Sequence, residues 1–149
     1  MVKITLPDGS VLKIEGQITA GQLAERIGSK LAKAAIAAQI NGQLADLSTP
    51  LTGEANVQII TCKDAEGLEI MRHSCAHIMA EAICSIWPAR KLVYGPAVED
   101  GFYYDIDLDE PIRPTDFERI EEKMCEIVRA DRLFIRKETT RTDALSKLA

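Results

Sequence analysis

The stretch Val2-Lys3-Ile4-Thr5-Leu6-Pro7-Asp8-Gly9-Ser10-Val11-Leu12-Lys13-Ile14 decides how the first part of this chain folds. Val2, Ile4 and Leu6 alternate with polar partners, Leu12 and Ile14 do so less cleanly, and the Pro7-Asp8-Gly9-Ser10 between the two runs is a hairpin turn. Working outward, Thr19-Ala20-Gly21-Gln22 has capping-box spacing, with Thr19 at the N-cap and Gln22 at N3. It predicts a helix running to about Gly28, with Leu23 and Ile27 one turn apart. Ala35 to Ile40 reads as a strand, Asn41-Gly42 as a two-residue hairpin turn, and Gln43 to Leu47 as the returning strand. Asn56 to Cys62 makes a last apolar strand. The order β-β-α-β-β-β predicts a small β-grasp sheet wrapped on one helix.

A second part opens near Lys63-Asp64-Ala65-Glu66-Gly67. A long apolar helix is predicted from Leu68 to Ile86, ended by Trp87-Pro88. A hairpin follows with Asp100-Gly101 as its turn; the period of two puts Phe102, Tyr104, Ile106 and Leu108 on one face. Thr115-Asp116-Phe117-Glu118 reads as another capping box, opening a helix with Phe117, Ile120, Met124 and Ile127 on one side. Leu133, Ile135 and Lys137 suggest a strand, and Thr142-Asp143-Ala144-Leu145 a further helix start. The chain stops two turns later at Ala149 without a C-cap signal, the pattern expected of a domain cut inside an element.

At 149 residues, 46% apolar and 28% charged, the chain has the make-up of a soluble protein of one ordinary domain or two small ones. No apolar run is long enough to span a bilayer, so no membrane partner is expected. The N-terminus reads directly as a strand and a turn rather than as a signal peptide, which predicts a cytoplasmic home. Four cysteines without a C-x-x-C pair predict free thiols. Residues 1–62 carry five basic and five acidic side chains, and residues 63–149 thirteen and eighteen. That balance excludes a generic polyanion binder and leaves one local basic cluster, Arg129, Arg132, Arg136, Lys137 and Arg141, which also reads as a solvated face.

The chemistry concentrates in Arg72-His73-Ser74-Cys75-Ala76-His77-Ile78-Met79-Ala80, which holds both histidines of the chain. The i, i+4 spacing places His73 and His77 on one helix face, roughly 5–6 Å apart at Cβ. Two such imidazoles can bind a metal, or move protons and orient water, or stand as a solvated pair. Glu81 continues the stripe, but three ligands on successive turns of a straight helix do not converge on one ion, and no metal is expected here. Cys75 lies about 200° around the helix from His73 and reads as a small buried residue rather than a nucleophile. Tyr104 reads as core packing with its hydroxyl at the rim.

Three segments together resemble the N-terminal region of the bacterial threonyl-tRNA synthetase family over essentially the whole chain. They are Ile4-Thr5-Leu6-Pro7-Asp8-Gly9-Ser10, the run Asp64-Ala65-Glu66-Gly67-Leu68-Glu69-Ile70-Met71-Arg72-His73-Ser74-Cys75-Ala76-His77, and Gly95-Pro96 with Gly101-Phe102-Tyr103-Tyr104-Asp105. The resemblance implies an α+β chain: residues 1–62 a TGS domain of ubiquitin-like β-grasp fold, and residues 63–149 the first part of the α/β editing domain found in threonyl- and alanyl-tRNA synthetases. It implies a parent enzyme that joins threonine to tRNA(Thr) with ATP, as a homodimer formed through regions absent here. ATP, magnesium and zinc would belong to its catalytic domain, and no cofactor to this chain. It further implies hydrolysis of mischarged seryl-tRNA. Serine is threonine less one methyl, worth only about 1–3 kcal/mol of discrimination, which a second, hydrolytic site corrects.

By the same resemblance His73 and His77 supply the H-x-x-x-H half of the editing signature and Tyr104 binds substrate. The other half, C-x-x-x-H, has no counterpart, since no histidine follows His77. The chain alone is therefore expected to be inactive. The competing reading is a free-standing accessory module that binds RNA or a regulatory ligand without catalysis. A sulfur-carrier reading of the β-grasp part fails, because that role needs a free C-terminal Gly-Gly and the chain runs on through Thr61-Cys62-Lys63.

Overall fold

The computed structural model describes residues 1–88, 90–132 and 138–148. The strand expected at Leu133, Ile135 and Lys137, and Arg136 of the basic cluster, lie outside the described residues.

The opening hairpin forms as read. β1 (Val2–Thr5) pairs antiparallel with β2 (Val11–Ile14), setting Val2 opposite Ile14 and Ile4 opposite Leu12. In its turn Gly9 takes a φ of +82°, which glycine adopts without strain. The Asp8 carboxylate accepts hydrogen bonds from the Ser10 hydroxyl and amide, which hold its carboxyl below the ordinary carboxylate range. α1 (Ala20–Ile27) starts on the predicted capping box: the Gln22 amide donates to Thr19 Oγ1 at 3.3 Å and the Thr19 amide to Gln22 Oε1 at 2.9 Å.

β4 (Ala35–Ile40) turns at Asn41-Gly42, both with positive φ as a type I′ turn requires, into β5 (Gln43–Ala45). β7 (Glu54–Thr61) runs parallel to β1 and antiparallel to β4, giving a mixed five-stranded sheet of order β2-β1-β7-β4-β5. Leu23 of α1, Ile4, Leu51 and Val57 fill the space between helix and sheet. This is the β-grasp arrangement.

Besides β7, which starts at Glu54 and ends at Thr61 rather than running from Asn56 to Cys62, three features of this part differ from the sequence reading. β5 ends at Ala45 rather than Leu47, because the chain leaves the sheet to serve α1: the Leu47 and Thr49 carbonyls accept the Gly21 and Ala20 amides at 2.8 and 3.1 Å. A two-residue ladder of β3 (Ile18–Thr19) with β6 (Pro50–Leu51) accompanies this contact. A second helix, α2 (Ser29–Ala34), has no buried residue and hence no apolar stripe to betray it.

The second part begins with α3 (Ala65–Ile86), which starts one turn before the expected Leu68. Its N-cap Asp64 faces backward: its carboxylate accepts the Thr61 amide at 2.7 Å and the Thr61 hydroxyl at 2.9 Å, and these bonds lower its carboxyl pKa. Gly67 lies against the end of β7; a Cβ there would stand 2.0 Å from the Thr61 carbonyl oxygen. Only glycine lets α3 press this closely on the sheet.

After α3, β8 (Arg90–Tyr94) pairs antiparallel with β11 (Asp105–Leu108), and between them β9 (Ala97–Val98) pairs with β10 (Gly101–Phe102). The hairpin turn is Glu99-Asp100, one residue ahead of the expected Asp100-Gly101, because Gly101 is already paired with Val98. The predicted alternation holds: Phe102, Tyr104, Ile106 and Leu108 all face one apolar cavity of about 760 Å³, whose far wall is α3 and α4 (Phe117–Arg129).

α4 is preceded by a 3₁₀ turn, Pro114–Asp116, and the capping box expected at Thr115 is not formed; the Asp116 carboxylate instead accepts the Arg113 amide at 2.8 Å. Ile120 of α4 is buried against Ala82 and Ile83 of α3, with Met124 and Ile127 beside it as predicted, whereas Phe117 stays 54% exposed at the cavity rim. α5 (Arg141–Leu148) begins one residue before the predicted Thr142, its Asp143 amide donating to Thr140 Oγ1 at 3.2 Å. Among the described residues no helix is long and apolar enough to cross a membrane.

Candidate functional site

α3 buries Ala76, Ala80, Ala82 and Ile83 on one side and turns Glu69, His73 and His77 outward on another. The small buried side chains let the helix lie close to its neighbours, and the i, i+4 spacing does the rest. The two imidazoles meet edge to face, with ring centroids 4.6 Å apart and planes inclined at 67°. Their Nε2 atoms are 2.9 Å apart, a hydrogen bond in which one Nε2–H donates and the other Nε2 accepts through its lone pair.

Both rings open on a cleft of about 360 Å³. Its opposite wall is the segment running from the end of β8 into β9, Val93-Tyr94-Gly95-Pro96-Ala97, together with Tyr104. Arg72, next to His73 in the helix, fastens this wall to α3: its guanidinium donates to the carbonyl of Glu99, and to that of Val98 at 3.5 Å, at the tip of the β9–β10 hairpin. Three residues singled out in the sequence, His73, His77 and Tyr104, thus line one space.

The other candidates go elsewhere. Glu81 takes the Arg132 guanidinium in an ion pair, which occupies one member of the basic cluster. Among the described residues no three His, Cys, Asp or Glu side chains stand close enough to hold a metal. Cys75 is half-buried and lines neither the cleft nor the apolar cavity, and all four cysteines are free thiols. Tyr103 is 45% exposed and lines neither the cleft nor the apolar cavity. Sequence reasoning did not find Glu69, Tyr94 or the anchoring role of Arg72. Glu69 was within reach, since it stands four residues before His73 on the same stripe. Tyr94 arrives only through the pairing of β8 with β11, which no local pattern announces.

Chemically, the site offers a lone pair and an N–H from adjacent imidazoles, a phenol, and an apolar rim. A neutral imidazole of this kind takes a proton from water, while its partner donates to a developing oxyanion.

Comparison with known proteins gives the context. Residues 2–61 match the TGS domain family. The threonine–tRNA ligase of Rhodospirillum rubrum is 49% identical over 146 residues, covering 98% of this chain and 23% of the ligase. That of Citrifermentans bemidjiense is 50% identical over 145 residues, 97% of this chain and 23% of the ligase. That of Xanthomonas euvesicatoria is 45% identical over 149 residues, all of this chain and 24% of the ligase. The chain spans about a quarter of the length of the curated relatives it matches. Residues 2–61 thus match the TGS domain family on a β-grasp sheet, and along nearly its whole length the chain is similar to part of the threonine–tRNA ligases.

Proposed function

We propose that this chain works as the N-terminal region of a threonine–tRNA ligase, and that residues 63–149 contribute half of a hydrolytic site for seryl-tRNA(Thr). The parent enzyme attaches threonine to tRNA(Thr) with ATP in the cytoplasm, as a homodimer, with ATP, magnesium and zinc held in a catalytic domain outside these residues. The observation that carries the hydrolytic reading is the pair of Nε2 atoms 2.9 Å apart on the wall of a cleft that Tyr104 also lines.

In this reading the attacking water enters between the rings and parts the Nε2–Nε2 hydrogen bond, and the Nε2 lone pair so freed accepts the water's proton. Water oxygen adds to the seryl ester carbonyl, the other imidazole and the Tyr104 hydroxyl hold the substrate and the oxyanion, and the ribose oxygen leaves with the proton. A C-x-x-x-H segment from the rest of the polypeptide completes the site, so the 149-residue chain alone does not deacylate.

The test is a chimaera in which this chain replaces the matching region of the Rhodospirillum rubrum ligase. Seryl-tRNA(Thr) deacylation is expected from the chimaera and not from the isolated chain. His73→Ala or His77→Ala should slow it by roughly 10²–10⁴-fold, the range of general acid–base assistance, with threonylation untouched. Undiminished deacylation in both variants would overturn the reading.

A further inference from the structure

We propose that Gly95 is a positioning residue for the ring of Tyr104, and that this ring is the partition between the histidine-lined cleft and the apolar cavity behind it. The inference deepens, and rests on, the hydrolytic reading of that cleft.

The β8–β11 ladder ends with Tyr94 opposite Asp105, and Gly95 and Tyr104 are the residues that follow and precede this last pair, one on each side of the ladder's end. A Cβ at residue 95 would stand 2.2 Å from Cδ2 of Tyr104 and 2.6 Å from both Cε2 and Cγ. These distances are far inside the ordinary carbon–carbon separation of about 3.5–4.0 Å. The face of the ring therefore rests on the bare α-carbon, an aromatic side chain covering a glycine just past the end of the neighbouring strand. Gly95 has no positive φ, so its backbone accepts any residue; what excludes a side chain there is the tyrosine.

Among the described residues Tyr104 is the one that lines both the cleft of about 360 Å³ and the cavity of about 760 Å³. The register shift between Asp105 and Ile106, immediately after it, re-aims the strand at this point, so the ring's direction depends on what it rests against. A methyl group at residue 95 drives the ring off the α-carbon toward the larger cavity, which has room for it. The phenol then leaves the wall facing His73 and His77.

The experiment is a double-mutant cycle of Gly95→Ala and Tyr104→Ala, read in two ways. In the chimaera, steady-state deacylation of seryl-tRNA is expected to fall roughly ten- to a hundredfold with Gly95→Ala, as a misplaced group costs, chiefly in kcat rather than KM. In the Tyr104→Ala background the same change should have no effect beyond about twofold. In the isolated 149-residue chain, Gly95→Ala should lower the urea midpoint while the tyrosine is present and leave it unmoved in the Tyr104→Ala background. Equal losses in both backgrounds, in rate or in midpoint, overturn the proposal. A wild-type chimaera that does not deacylate seryl-tRNA overturns the hydrolytic reading instead, and the urea cycle still decides whether glycine and ring act through each other.

Discussion

Of the eighteen buried apolar residues among those described, thirteen precede Cys62 and five follow it, although the second region is the longer. The first region closes a five-stranded sheet over α1 and leaves few large apolar side chains in solvent. The second stands on one long helix with two short ribbons, and Leu92, Val93, Tyr94, Val98 and Tyr103 are exposed along them. Its apolar hairpin face meets α3 and α4 across an open cavity, with Ile106 packed on the small cluster of Ala82, Ile83 and Ile120. The residues proposed for chemistry all belong to this looser region. The lesson is one of division: the β-grasp region stabilises itself, and the cleft-bearing region leaves apolar surface and space for something to enter.

The comparison breaks first at the core. Leu23 is fully buried, and Leu23→Ala should cost about 2–5 kcal/mol, whereas Leu92→Ala, at a residue 44% exposed, should change stability by no more than about 0.5 kcal/mol. Urea unfolding followed by circular dichroism measures both, and comparable losses would remove the contrast.

Next in size is the joint between the regions. Gly67→Ala gains helix propensity of about 1 kcal/mol, but the new Cβ meets the Thr61 carbonyl, and overpacking of about 1–3 kcal/mol wins. The expected result is a net loss of stability together with altered amide exchange at the end of β7. A more stable variant would mean that α3 is not pressed on the sheet.

A smaller effect sharpens the account of the first region. Thr19→Ala removes the side-chain half of the α1 capping box and should cost about 1 kcal/mol, read as a lower melting temperature with the hairpin β1–β2 unchanged by NMR.

The smallest effect is that of pH at Asp64. Hydrogen bonds from Thr61 lower its carboxyl pKa in the folded chain. Its contribution is therefore complete above the unfolded value of about 3.9 and disappears as pH falls through the lower folded value. The urea midpoint of the native chain should drop faster than that of Asp64→Asn on acidification through this window; parallel curves would show that the junction owes nothing to the carboxylate.

What was legible in the sequence was local. The Pro7-Asp8-Gly9-Ser10 hairpin, the Thr19–Gln22 capping box and the Asn41-Gly42 turn are patterns of a few residues whose physics needs no distant partner, and each forms as read. The i, i+4 histidines belong to the same class. What was missed is non-local or unpatterned. The β3–β6 ladder joins two residues to two others some thirty positions away, α2 has no apolar face, and the true turn at Glu99-Asp100 depends on Gly101 being claimed by Val98. Half of the candidate site belongs to this second class, because Gly95 and Tyr94 reach the histidines only through the β8–β11 pairing.

The contact between His73 and His77 has one more implication. A single hydrogen lies between two equivalent nitrogens, and shifting it from one ring to the other, with the matching change of tautomer, reverses which imidazole is basic toward the cleft. The backbone thus builds an interchangeable couple rather than two specialists, and whichever molecule occupies the space beside them assigns the parts.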